Sequence, residues 1–333
     1  MPFRIIRNDI TKVKADAIVN TANPKPVIGS GTDSAVYAAA GKDLLLEARK
    51  KIGPIACGDA AWTDGFALKA KYIIHTVGPV WQGGDHGEAD ILRSCYERSL
   101  AIADELKCKS VAFPVLASGN YGFPKEEALK IALSEIGRFL LTHEMKVILV
   151  VFDRKALVLS KDLMGDIEEY ISENAVELLN KEEYKTNDSS KRRHQRLEDV
   201  FITEPVDSIG SEALNDIMSH KGKTFQQRLF ELIDERGLTD TQVYKKANID
   251  RKLFSSIRCK SDYKPKKETA VALGIALGLD LDTMQDLLAC AGMTLSSSVP
   301  FDMIIRYFLS KGLYDLYDIN TALAYYNQKQ IGE

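Results

Sequence analysis

The stretch "NTANPKPVIGSGTD", residues 20–33, decides the reading of the chain. It follows the apolar run "DAIV", residues 16–19, and precedes the alanine-rich "SAVYAAAG", residues 34–41. The run reads as a buried strand and the alanine-rich part as a helix, so the segment between them is a strand-to-helix loop. Asn, Pro, Gly and Asp are the residues that turns use, and a turn alone would account for the composition. What surrounds the loop gives it more to do.

The first half of the chain alternates strand and helix patterns. Residues 3–7, 17–20, 71–77, 110–116 and 146–152 are rich in Val and Ile and bounded by turn residues, as strands are. Residues 88–106 keep Ile91, Leu92, Cys95, Leu100 and Ala103 near one helical face, and residues 125–143 do so with Leu129, Ala132, Leu133, Ile136 and Leu140. A further amphipathic helix is predicted over about residues 160–180. Strand and helix in turn imply a layered α/β sheet. Ligands of such sheets bind at loops beyond the carboxyl ends of strands, where residues 20–33 fall.

A second loop of the same kind is "PVLASGNYGFP", residues 114–124. Ala117, Ser118, Gly119 and Gly122 leave backbone N–H groups unshielded near a helix start, which suits phosphate oxygens. Two such loops in one α/β domain suggest a diphosphate held from both sides. Tyr121 could cover a sugar ring or pack the loop on the core.

The 333 residues are 45% hydrophobic and 27% charged with a net charge of −3, which fits a globular protein of two domains and names no nucleic-acid partner. No apolar run reaches membrane-spanning length, and "MPFRIIRNDI" lacks a signal-peptide core. Cys57, Cys95, Cys108, Cys259 and Cys290 are scattered and odd in number, which reads as reduced thiols of a cytoplasmic protein, with no metal site. His75 alternates with apolar neighbours and reads as a core histidine. Cys57 has no evident activating partner.

Residues 8–33, "NDITKVKADAIVNTANPKPVIGSGTD", resemble the opening of a macrodomain, the ADP-ribose-binding family. "YIIHTVGP" (72–79), "FPVLASGNYGFP" (113–124) and "VVFD" (150–153) resemble later family blocks in the right order. The resemblance covers roughly residues 1–175 and is closest to the MacroD-type branch, whose members remove ADP-ribose from modified acidic side chains and deacetylate O-acetyl-ADP-ribose. It implies a three-layer α/β fold, a mixed central sheet with helices on both faces, over residues 1–178. It also implies ADP-ribose as ligand, with no further cofactor. Asp9 would accept a hydrogen bond from the adenine amino group, beside Ile10, or else simply cap the turn at "ITK". Phe152 would lie against the adenine ring, or else belong to a core strand. Gly29, Ser30, Gly31 and Thr32 would offer N–H groups to phosphate, opposite Ser118, Gly119, Asn120, Tyr121 and Gly122, and Asn20 would join the ligand shell. Asn23 and Asp33 match the catalytic pair: Asn23 would hold the distal ribose, and Asp33 would orient or activate a water. N-capping is the alternative role for Asp33. Asn8, Ile28, Ser30 and Thr32 depart from the family pattern, as does "LAS" (116–118).

The character changes over residues 179–222, where "NKEEYKTNDSSKRRHQRLEDV" (180–200) is nearly devoid of apolar residues and reads as a flexible polar linker. Residues 223–333 carry helix patterns and no convincing strands. "LTDTQVYKKANIDRKLFSSIR" (238–258) has helix–turn–helix spacing, with Thr239 as a cap, and resembles the XRE-type repressor domain as a separate all-α unit. Between residues 224 and 267 there are 11 Lys and Arg against 6 Asp and Glu, which suits phosphate contact. The second helix would present Arg251, Lys252 and Arg258, but no Asn or Gln to read adenine. A DNA or RNA partner, a protein partner and a purely structural role all stay open on these residues, and no membrane partner is implied.

Overall fold

The computed structural model describes residues 2–152, 167, 170 and 222–332. The helix expected near 160–180 falls outside them except at Ile167 and Tyr170, both helical, and the linker lies outside them except at Gly222.

Six strands make one sheet: β1 (Phe3–Arg7), β2 (Ala17–Thr21), β3 (Ala60–Asp64), β4 (Tyr72–Thr76), β5 (Ser110–Pro114) and β6 (Lys146–Val151), in the order β1-β6-β5-β2-β4-β3. All pairings are parallel except β3 with β4, so the sheet is mixed, as expected. Because strand side chains alternate between faces, the Val/Ile-rich strands supply both. Phe3, Ile5, Val19, Ile74, Val111, Phe113, Val147 and Leu149 pack under α3 (Glu88–Glu105) and α4 (Lys125–Thr142). Ile18, Ile73, Ala112, Ile148 and Val150 pack under α1 (Thr32–Ala40) and α2 (Lys42–Ile52). The result is a three-layer α/β structure. Since β1, β2, β5 and β6 run parallel, the segments leaving their carboxyl ends gather along one rim: residues 8–12, 22–33, 115–124 and Phe152.

Residues 222–332 are helical: α5 (Phe225–Glu235), α6 (Asp240–Lys246), α7 (Arg251–Cys259), α8 (Lys267–Ala276), α9 (Leu281–Ala289), α10 (Pro300–Ser310) and α11 (Leu316–Tyr325). Thr224 with Gln227 and Thr239 with Gln242 form capping boxes that start α5 and α6. These helices have a core of their own, built on Leu229, Phe254, Ile257, Leu273, Leu288, Ile304 and Phe308, into which Ile167 packs.

The helical part does not stand clear of the sheet. Strand β1 is an edge, and an edge strand exposes unpaired backbone groups. Two side-chain amides fill that edge. Asn248 Nδ2 donates to the Phe3 carbonyl and its Oδ1 accepts the Phe3 N–H, both at 2.9 Å. Gln330 repeats the pattern two residues along the strand, accepting the Ile5 N–H at 3.1 Å and donating to the Ile5 carbonyl at 2.6 Å. Tyr317 of α11 seals the seam, its ring edge-on to Phe3 at 5.1 Å between centroids. A Cβ at Gly137 of α4 would lie 3.0 Å from that ring, so glycine there admits it.

Candidate functional site

The two predicted loops meet across a cleft at the rim. One compartment, of about 490 Å³, is lined by Asp9, Ile10, Thr32, Ser118, Gly119 and Phe152, among others. The other, of about 220 Å³, is lined by Asn23, Ser30, Gly31, Asp33, Asn120 and Tyr121. Gly31, Thr32, Val115 and Gly119 border both, so the compartments are two ends of one cleft. Between them Asn120 Nδ2 donates to Ser30 Oγ at 2.6 Å, linking the loops side to side.

In the larger compartment Phe152 is 81% exposed, which removes the core-strand alternative. Asp9 caps the short 3-10 turn Ile10–Lys12: its Oδ1 accepts both the Thr11 N–H and the Thr11 hydroxyl. The hydroxyl bond holds its carboxyl below the usual range, so it is ionised and an acceptor at neutral pH. Both roles foreseen for Asp9 are thus geometrically compatible.

Helix α1 begins at the junction of the compartments. Its N-cap is Gly31, with no side-chain cap and a φ of +64° that glycine adopts without strain. An uncapped helix start leaves N–H groups and the positive end of the helix dipole toward the cleft. Asp33 therefore does not cap the helix. It sits in the first turn, 3% exposed, with Oδ2 accepting the Gly29 N–H and Oδ1 accepting from Asn20 Nδ2, both at 2.6 Å. Burial pushes its carboxyl up, and the Asn20 and Gly29 bonds and the nearby Arg49 charge pull against that.

Three expectations need correction here. Asn20 is fully buried beneath the cleft, so it reaches Asp33 and not a ligand. The Gly29 N–H is spent on Asp33 and is not offered to phosphate; Gly29 matters because a Cβ there would fall 2.9 Å from Asn23 Nδ2 and 3.2 Å from Asp33 Oδ2. Gly122 turns its N–H into the loop, to the Gly119 carbonyl. Ser118 likewise gives its hydroxyl to the Val115 carbonyl while lining the larger compartment.

Asn23 is held on several sides. Its Nδ2 donates to the Val27 carbonyl at 3.1 Å, and the Tyr121 hydroxyl reaches its Oδ1 at 3.4 Å. Its backbone carbonyl accepts from Arg49 Nη2 at 3.3 Å, while Arg49 Nη1 donates to the Gly53 carbonyl at 2.9 Å. Arg49 is 1% exposed, and nothing in "EARKK" sets it apart from a solvated helix face, so the sequence reading passed over it. Beneath Asp33 lies a second polar group of residues. His75, fully buried on β4, is 3.3 Å from Asn20 Nδ2 through Nδ1 and 3.0 Å from the Thr63 hydroxyl through Nε2. Burial, then the Arg49 charge, lower the imidazole to about 3, so it is neutral, as a core histidine. Cys57 is unactivated: burial pushes its thiol up.

The three cations singled out on the helix–turn–helix segment do not form a set. Arg258 pairs with Asp240 at 2.6 Å and lies over the Phe230 ring at 4.3 Å, so its charge is used within the fold. Arg251 lines a crevice against Leu140, His143 and Lys146 of the α/β part. Lys252 is exposed. The turn before α7 is the one whose Asn248 is bonded to Phe3, so the first turn of α7, which a DNA-reading helix presents to bases, adjoins the sheet edge. Among the described residues no cluster of His, Cys, Asp and Glu could hold a metal ion, and no helix is long and apolar enough to cross a membrane.

The Macro domain family model matches residues 19–132. A macro domain-containing protein of Methanosarcina mazei is 49% identical over 143 residues, which are 43% of this chain and 76% of that protein. One from Caldanaerobacter subterraneus is 41% identical over 164 residues, 48% of this chain and 94% of its own length. An Oceanobacillus iheyensis macrodomain solved with ADP is 35% identical, with 46% of this chain and 84% of that one covered and a TM-score of 0.44. By its α/β part, the chain belongs to the macro domain family.

Proposed function

We propose that the cleft binds ADP-ribose and that the chain is a mono-ADP-ribosyl hydrolase, releasing ADP-ribose from modified protein side chains or acting on O-acetyl-ADP-ribose. The observation that carries this reading is the smaller compartment, where Gly29 lets Asn23 and Asp33 approach within one residue's breadth of each other beside Tyr121. Adenine would lie on Phe152 with its amino group toward Asp9. The diphosphate would cross at the start of α1, near the N–H groups of Gly31 and Thr32 and the Ser30–Asn120 pair. The distal ribose would then enter the smaller compartment. Asn23 would hold its hydroxyls. Asp33, fixed by two donors, would orient a water toward the anomeric carbon. Water oxygen bonds to that carbon as the bond to the acceptor oxygen breaks. The acceptor leaves as a carboxylate, and the water's proton passes to Asp33 or a substrate phosphate oxygen. Calorimetric titration with ADP-ribose tests the pose: Asp9→Ala should weaken binding by about 1.5–3 kcal/mol, the range for a hydrogen bond to a charged group. Unchanged affinity would reject it.

A second reading, a non-catalytic reader, is favoured by one observation. Asp9 lies just past β1, the strand whose edge Asn248 and Gln330 clamp, so ligand contact and helical part share a rigid element. In that reading occupancy is relayed to the helical part, and the partner there is a protein. Turnover by the parent protein excludes it as the whole function.

A further inference from the structure

We infer that Asn20, His75 and Thr63 form a positioning relay that orients the Asp33 carboxylate from below, and that the relay depends on His75 being a neutral hydrogen-bond acceptor. The inference deepens the hydrolase reading and rests on it for its kinetic consequence only.

The hydrogen bonds fix one another's direction. Asn20 Nδ2 stands 2.6 Å from Asp33 Oδ1 and 3.3 Å from His75 Nδ1. A carboxylate is acceptor-only, so the atom facing it is the amide nitrogen. Its second N–H points to Nδ1, which must then be bare. The ring proton sits on Nε2 and is donated to the Thr63 hydroxyl at 3.0 Å. The opposite amide orientation would set the Asn20 oxygen against the Asp33 carboxylate. The orientation present leaves Asn20 Oδ1 without a partner, the kind of buried loss that two good donor contacts must outweigh. The relay is built into the sheet: Asn20 and His75 are register partners across β2 and β4, and His75 sits opposite Ala61 on β3, two residues from Thr63. All three residues are buried. So the carboxylate on α1 is tied through three strands to the far edge strand, and a turn of the Asn20 amide would free Oδ1.

The other groups acting on Asp33 are the Gly29 N–H at Oδ2 and the Arg49 charge on α2, while Tyr37 on its own helix and Tyr121 on the loop after β5 are near enough to feel its charge. None of them touches Oδ1, so the His75 bond is separable from their influence.

The test pairs His75→Leu with His75→Asn in the full chain. Leu removes the acceptor, and Asn carries its side-chain oxygen at the position of Nδ1, the ring atom that faces Asn20. Two readouts are taken: the titration of the Asp33 carboxyl by NMR of 13C-aspartate-labelled protein, and the rate of ADP-ribose release. The relay predicts that H75L lets the Asn20 amide turn away from Oδ1 and so raises the proton affinity of Asp33 by up to about tenfold, the weight of the one hydrogen bond to a charged group that is then lost. Turnover should fall by a similar factor with ADP-ribose affinity within about threefold of the parent, since no ligand contact is removed. H75N should restore most of both. An Asp33 titration unmoved in H75L, or equal effects of Leu and Asn, overturns the relay. If the parent shows no turnover, the hydrolase reading fails while the titration arm still decides the relay. If H75L does not fold, N20D decides instead: two carboxylates at that distance must share a proton, so the titration moves up by more than tenfold if the contact is real. An unmoved titration there overturns it.

Discussion

Replacing Asn248 by Gly should destabilise the whole chain, including the sheet more than two hundred residues away in sequence. The side chain makes two hydrogen bonds of 2.9 Å to one buried strand residue, Phe3. Removing it leaves a buried N–H and a buried C=O unpaired, each costing about 1–3 kcal/mol, so a loss of about 2–4 kcal/mol is expected after partial relaxation. Asn248 also has a φ of +55°, in the left-handed region. Gly adopts that freely, whereas Ala adds about 1 kcal/mol, so N248A should be the worse of the two by that margin. Urea unfolding with linear extrapolation measures this, followed by tryptophan fluorescence and by far-UV circular dichroism. Both tryptophans, Trp62 and Trp81, lie in the α/β part, so their signal reports the sheet alone. One cooperative unit predicts coincident transitions that shift together in N248G. A tryptophan midpoint that stays in place while the helical signal moves would refute the clamp.

Three further outcomes follow from the site and the seam. Gly29→Ala places a methyl 2.9 Å from Asn23 Nδ2, so ADP-ribose release should fall by about tenfold or more while the unfolding midpoint changes little. Arg49→Met leaves the Asn23 and Gly53 carbonyls without their donor, and should cost about 1.5–3 kcal/mol in urea unfolding; Arg49→Lys should recover only part, because an ammonium cannot span both carbonyls as the guanidinium fork does. Asp318, in the first turn of α11, is raised to about 6 by burial and then by Asp315, above its ordinary 3.8. A carboxyl raised on folding binds its proton more tightly in the native state, so its contribution to stability is lost as pH rises from about 4 to 6. Asp318→Asn should flatten that part of the melting-temperature profile.

The sheet was legible where strands are long in Val and Ile, as in "KYIIHTV" and "KVILVVF", and both large helices follow their apolar spacing. Strand β3, "AAWTD", was not read: it is a short edge strand with Trp62 half out in solvent and no apolar alternation to mark it. The loops of the cleft were legible from their glycines, but the roles within them were not. Whether the Gly29 N–H faces ligand or Asp33, and whether Asn20 lies on or under the cleft, depends on where an acceptor sits in space. Arg49 looks like any surface cation in a charged run. The clamp is the least readable feature, because Asn248 and Gln330 lie 245 and 325 residues from the strand positions they satisfy.

The central claim is that this cleft cleaves ADP-ribose from an acceptor through Asp33. Its most direct test is the rate of ADP-ribose release from mono-ADP-ribosylated protein, measured for the parent chain and for Asp33→Ala alongside calorimetric ADP-ribose affinity. The account predicts measurable release by the parent and a fall of about a hundredfold or more in the variant, with much smaller loss of affinity. No release by the parent, or equal release by both proteins, would contradict it.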